Sequence, residues 1–114
     1  MPKPKLSVVI VAYNAAQTIR QCLEALRRQS EREFEVIVVD SSEDDTAAIV
    51  ELEFPEARLI RCAHRKYPGD ARNAGVEVAS ADVIAFVDSD CLADAEWARE
   101  IVRAHAGPES EWRI

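Results

Sequence analysis

Glycine is scarce in this chain: only Gly69, Gly75 and Gly107 occur among 114 residues. None follows an apolar run in the spacing of a phosphate-cradling loop, which excludes the G-x-G-x-x-G and Walker arrangements. Cysteine is as rare, with Cys22, Cys62 and Cys91 far apart and odd in number. No Cys-x-x-Cys pair or Cys/His ligand spacing occurs, which sets aside structural zinc; reduced thiols in a cytoplasmic setting fit better. Long apolar runs are missing too. The longest, Val8 to Ala12, falls far below the roughly 20 residues needed to cross a bilayer. It is also too short for a signal-peptide core behind the basic leader Pro2-Lys3-Pro4-Lys5. Basic residues are outnumbered 14 to 21 by acidic ones, for a net charge of −7. The short cluster Arg58, Arg61, Arg65, Lys66 is not the stripe that sequence-independent nucleic-acid binding uses. A protein of this sign that binds a phosphorylated ligand must concentrate positive charge locally or borrow it from a metal.

What the chain has in plenty is apolar content, 48% of residues, enough for one domain with its own core. Leu6 to Ala12 and Phe34 to Asp40 are β-branched runs that read as strands covered on both faces. Arg58 to Cys62 and Asp82 to Asp88 read as two further strands. Between them, Ile19, Cys22, Leu23 and Leu26 recur at helical spacing. Ser42 and Asp45 resemble a capping box ahead of a helix carrying Ile49, Val50 and Leu52, which Pro55 ends. Asp70 to Ala79 reads as a small-residue helix, and Asp94 as the cap of a last helix with Trp97, Ile101 and Val102. Alternating strands and helices predict an α/β fold: an open, mostly parallel sheet with flanking helices and right-handed crossovers. The folded unit is expected over 1–106, with an irregular tail at 107–114.

In such sheets ligands bind beyond the carboxyl ends of the strands, where the strand order switches. Those ends read Ala12-Tyr13-Asn14, Asp40-Ser41-Ser42 and Asp88-Ser89-Asp90. Two carboxylates one residue apart at a strand end repel each other unless a cation or donor lies between them. Asp88 and Asp90 therefore either cap the next turn in water or hold a hard cation, Mg²⁺ or Mn²⁺. Tyr13 is either a half-buried strand-end aromatic or a ligand platform. Asp40 either caps the next helix or faces a ligand.

Four segments in this order and spacing resemble family 2 glycosyltransferases of the GT-A type. They are Val8-Val-Ile-Val-Ala-Tyr-Asn14, Val36-Ile-Val-Val-Asp40 with Glu43-Asp-Asp-Thr46, Ala71-Arg-Asn-Ala-Gly75, and Ile84-Ala-Phe-Val-Asp-Ser-Asp90. The resemblance runs from Ser7 to about Trp97. It implies a Rossmann-like, nucleotide-sugar-binding half, with Ala12, Tyr13 and Asn14 against the base and Asp40 accepting a hydrogen bond from it. Arg72 would approach base or phosphates, Asp88 the ribose or sugar with Ser89 beside it, and Asp90 would ligate Mn²⁺ or Mg²⁺. The implied partner is a nucleoside-diphosphate sugar, a UDP-sugar foremost. The sequence departs from the pattern at Asp40-Ser-Ser, where Asp-Asp-Gly-Ser is common, and at Ala15, where an acid often stands.

The resemblance further implies that acceptor contacts and a general base lie in a segment absent here, so the chain is expected to be truncated, with an exposed sheet edge prone to self-association. A truncated or inactive nucleotide-binding module is the alternative function. A nucleotidyltransferase lacks its glycine- and base-rich first loop here, and a phosphatase-like domain would carry its aspartate pair after the first strand.

Overall fold

Strand and helix alternate along residues 3–106, which the computed structural model describes; the expected tail at 107–114 lies outside the described residues. The order is β1 (Leu6–Ala12), α1 (Ile19–Arg27), β2 (Phe34–Asp40), α2 (Thr46–Glu53), β3 (Arg58–Arg61), α3 (Pro68–Val78), β4 (Ile84–Asp88) and α4 (Trp97–Ala104). All pairings are parallel, in the order β3-β2-β1-β4. The predicted α/β architecture is present.

The period of two in β1 splits its side chains between two cores. Leu6, Val8, Ile10 and Ala12 point to the side where α1 contributes Ile19, Cys22, Leu23 and Leu26, α2 contributes Val50, and α4 contributes Ala98. Val9, with Ile37 and Val39 of β2, faces Ala71 of α3. A strand buried on both faces needs apolar residues at every position, which is why β1 reads as an unbroken run rather than an alternation. Gly75 lets α3 approach: a Cβ there would lie 2.5 Å from Val9 Cγ1.

Three local expectations are corrected. The Ser42/Asp45 capping box does not form. Ser42 Oγ instead accepts the Asn14 N–H at 2.7 Å, and Asp44 caps α2, accepting from the Thr46 N–H at 3.0 Å and the Thr46 hydroxyl at 2.5 Å. Asp45, next to the helix, makes no side-chain cap, because Asp44, one residue further out, already accepts the Thr46 N–H. Leu52 is also not a core residue. It is 82% exposed while Val50 is buried, because two helical steps of about 100° turn it away from the sheet. The expected Asp94 cap of the last helix is displaced by two residues: Glu96 holds the N-cap position of α4 without a side-chain cap, and Asp94 Oδ2 accepts the Glu96 N–H at 3.2 Å just outside the helix.

The Thr46 hydroxyl bond, foremost, holds the Asp44 carboxyl below its ordinary range, helped by the N–H groups of Thr46 and Ala16. A carboxyl lowered by folding contributes stability above its unfolded pKa, and that contribution is lost as pH falls through the folded value. Asp44→Ala is expected to destabilise the protein by about 1 kcal/mol at pH 7. The gap from wild type should begin to narrow as pH falls below about 4. Urea midpoints across pH 2–7 check this, and a gap that stays constant or widens on acidification would contradict it.

Candidate functional site

β1 leads through α1 to β2 on one side, and the chain later returns to place β4 on the other. The order thus switches beside β1, where the crevice of an open α/β sheet lies. Register brings the expected residues to it: Ala12 pairs with Asp40 and Val11 with Asp88. Two acidic strand ends therefore flank the end of β1.

Beyond buried Ala12, Tyr13 is 37% exposed, and Asn14 takes a left-handed φ of 50°, which asparagine tolerates better than most residues. Asn14 Oδ1 accepts the Glu43 N–H at 2.9 Å. The Ala15 N–H donates to Thr46 Oγ1 at 2.9 Å and the Ala16 N–H to Asp44 Oδ2 at 3.2 Å. The loop after β1 is thereby laced to the loop after β2. Asn14 is engaged in this lacing through both its side chain and its main chain. Ser42 and Ser41 join it: Ser41 Oγ accepts the Lys66 N–H at 3.4 Å. The serines that replace the family's Asp-Gly are loop fasteners, and Ala15 is buried, where an acid would be costly.

Asp40 is 1% exposed, and its Oδ1 has no hydrogen-bond partner among the described residues. It does not cap α2, and it forms no ion pair among the described residues. A buried polar atom left unmatched costs roughly 1–3 kcal/mol. Oδ1 is thus a buried acceptor without a protein donor among the described residues, at the carboxyl end of β2.

On the other side, Asp88 to Cys91 form a turn in which the Cys91 N–H donates to the Asp88 carbonyl at 3.0 Å. The Cys22 thiol reaches the same carbonyl at 3.6 Å. Burial, foremost, pushes the Cys22 thiol up to about 11, with Cys91, Asp90 and Asp88 adding to it. Behind the turn, buried Gln29 ties α1 to α4, donating to the Asp94 carbonyl at 2.6 Å and accepting the Ala98 N–H at 2.9 Å.

Carboxylate oxygens of Asp88 and Asp90 and Cys91 Sγ all lie within 4.8 Å of one another, exposed. Hard oxygens paired with one softer sulfur fit Mn²⁺ somewhat better than Mg²⁺. In the sequence Cys91 reads only as one of three scattered reduced thiols. The turn brings it beside the carboxylates, and position alone after Asp88-Ser89-Asp90 carries too little signal to show this. Ser89 lies half-buried inside the turn.

Arg72, exposed on α3, makes no ion pair with Asp40 or Asp88. Its guanidinium lies 5.8 Å from the Phe86 ring centroid, and Phe86 shares a face of β4 with Asp88. Arg65, in the loop between β3 and α3, lies over the Tyr13 ring at 4.0 Å from its centroid. The sequence showed Arg65 only as part of a basic cluster.

Fold and strand ends together define a Rossmann-like α/β domain in which Asp40 and Asp88 flank the end of β1, beside the switch in strand order. The chain belongs to the family described as Glycosyl transferase family 2, whose model matches residues 7–110. It is 36% identical over 111 residues to validoxylamine A glucosyltransferase of Streptomyces hygroscopicus subsp. jinggangensis, covering 92% of this chain and 26% of that protein. S. aureus TarS in complex with UDP superposes with a TM-score of 0.83 at 31% identity, over 89% of this chain and 32% of that one. The mannosyltransferase PcManGT of Pyrobaculum calidifontis, in complex with GDP-Man and Mn²⁺, gives 0.80 at 27% identity, over 95% and 34%. The chain thus spans between a quarter and about a third of the length of these relatives. Among the described residues, no helix is long and apolar enough to cross a membrane.

Proposed function

We propose that this domain binds the nucleoside-diphosphate sugar donor of a glycosyl transfer. The observation that carries the reading is the buried Oδ1 of Asp40, an acceptor without a donor at the edge of the crevice. A nucleobase N–H supplies the missing donor, and a uracil or guanine ring presents one. The solved relatives whose complexes name UDP and GDP-Man support the same class of ligand.

In this reading Ala12 and Tyr13 lie along the base, and Asn14 keeps their loop in place through Glu43 and Ser42. Arg72 faces the phosphates from the Phe86 side, and Asp88 with Ser89 faces the ribose or sugar. Asp90, with Asp88 and Cys91 beside it, would hold the divalent ion. A bound Mn²⁺ or Mg²⁺ would supply the positive charge that a departing diphosphate needs and this acidic chain lacks. The protein's own part is to bind and orient: a base pocket on β1 and β2, and a carboxylate turn on β4, set on either side of one strand.

Calorimetric titration with UDP and with GDP, each with Mn²⁺ and with EDTA, tests this. The expected result is Mn²⁺-dependent binding of a nucleotide, weakened at least about tenfold in Asp90→Ala, since even outer-shell changes at metal sites cost 10–100-fold. A folded chain that binds neither nucleotide would overturn the reading.

A further inference from the structure

Tyr13 is the aromatic residue that directly follows β1, and one face of its ring is taken. The Arg65 guanidinium stacks on it at 4.0 Å. Among the described residues Arg65 has no carboxylate partner, and its guanidinium rests on the Tyr13 ring. Its loop is anchored nearby by the Lys66 N–H on Ser41 Oγ. Arg65 also lines an open surface hollow of about 470 Å³ with Arg61, His64, Lys66, Tyr67 and Asp70, so the side chain is not packed in on its own loop. Stacking of an exposed cation on an aromatic ring is worth a factor of roughly two to five in an equilibrium. A nucleobase on the same ring is worth roughly five- to a hundredfold. The base wins that competition, and the displaced cation needs a new partner in a protein of net charge −7.

We propose that Arg65 is a displaceable cover on the Tyr13 ring. An incoming nucleobase pushes it aside, and the released guanidinium pairs with the ligand's phosphates. The site would thereby discriminate nucleoside diphosphates from bare nucleosides: both must break the stack, but only the diphosphate offers the arginine a replacement. This inference rests on the nucleotide-binding reading above.

The test measures the affinities of uridine and UDP (guanosine and GDP if the chain prefers guanine) for wild type and Arg65→Ala, in Mn²⁺. Arg65 is exposed, so the variant is expected to fold as wild type. The nucleoside should bind about two- to fivefold more tightly to the variant, while the diphosphate gains nothing or weakens. The ratio between the two affinities should fall at least about twofold. Ring-current shifts offer an independent reading: the Arg65 side-chain protons, moved upfield by Tyr13 in the free protein, should relax toward ordinary values as nucleoside is added. Parallel weakening of both ligands would make Arg65 a fixed brace and overturn the cover. An unchanged ratio would overturn it equally. If wild type bound no nucleoside or diphosphate while the upfield shifts were present, the nucleotide reading itself would fail, and the proposal with it.

Discussion

Asp40→Ala is expected to lose nucleotide affinity by about ten- to a hundredfold while leaving the protein as stable as before, or more stable by about 1–2 kcal/mol. Truncation of a buried side chain usually destabilises, so the opposite sign is the informative part. Asp40 Oδ1 is buried with no hydrogen-bond partner, and its desolvation works against folding in the free protein. Removing it relieves that penalty and leaves only a small void at the carboxyl end of β2. In the complex the same oxygen would accept a charge-assisted hydrogen bond, worth roughly 1.5–3 kcal/mol. Urea midpoints and UDP titrations on the same preparations check both signs. Destabilisation beyond about 1 kcal/mol would show that the carboxylate has a structural partner, and unchanged affinity would remove it from the site.

Gly75→Val is expected to cost about 3 kcal/mol or more of a total stability that for such domains is roughly 5–15 kcal/mol. The added Cβ would lie 2.5 Å from Val9 Cγ1, 3.1 Å from Val9 Cγ2 and 3.4 Å from Val39 Cγ2. Val9 cannot yield easily. It is fully buried, β-branched, and held between Ile37 and Phe86 in the two neighbouring strands. The helix would have to lift away, carrying Arg72 with it. Gly75→Ala is the milder control. Its gain in helix propensity, about 1 kcal/mol, offsets part of the clash and leaves a net loss of about 1 kcal/mol. Thermal or urea unfolding of both variants reads this out. An alanine variant as stable as wild type would mean that α3 does not sit this close to β1.

The same close approach shows how far sequence could reach. Val8 to Ala12 announced a strand covered on both faces because burial on two sides leaves no polar position in the run. The Ile19, Cys22, Leu23, Leu26 spacing announced α1 because one face of a helix must be apolar. The ends of those runs, Tyr13, Asp40 and Asp88, marked the crevice, since parallel strands deliver their carboxyl ends to one edge. Helix caps were harder to read. Ser42, Asp44 and Asp45 are all competent cap residues, and the choice among them fell to Asn14, on a different loop, which claimed Ser42.

By itself, then, the sequence determined the elements, their order and the acidic character of the strand ends, because those follow from local periodicity and residue chemistry. Only the tertiary structure decided which polar groups are matched. Asp40 is left without a donor because β1 and the neighbouring loops bury it, and Cys91 joins Asp88 and Asp90 through a turn closed on the Asp88 carbonyl. Arg65 reaches Tyr13 from 52 residues further along the chain. Contacts between residues so far apart depend on the strand order β3-β2-β1-β4 and on how closely each loop is held, which no local pattern records.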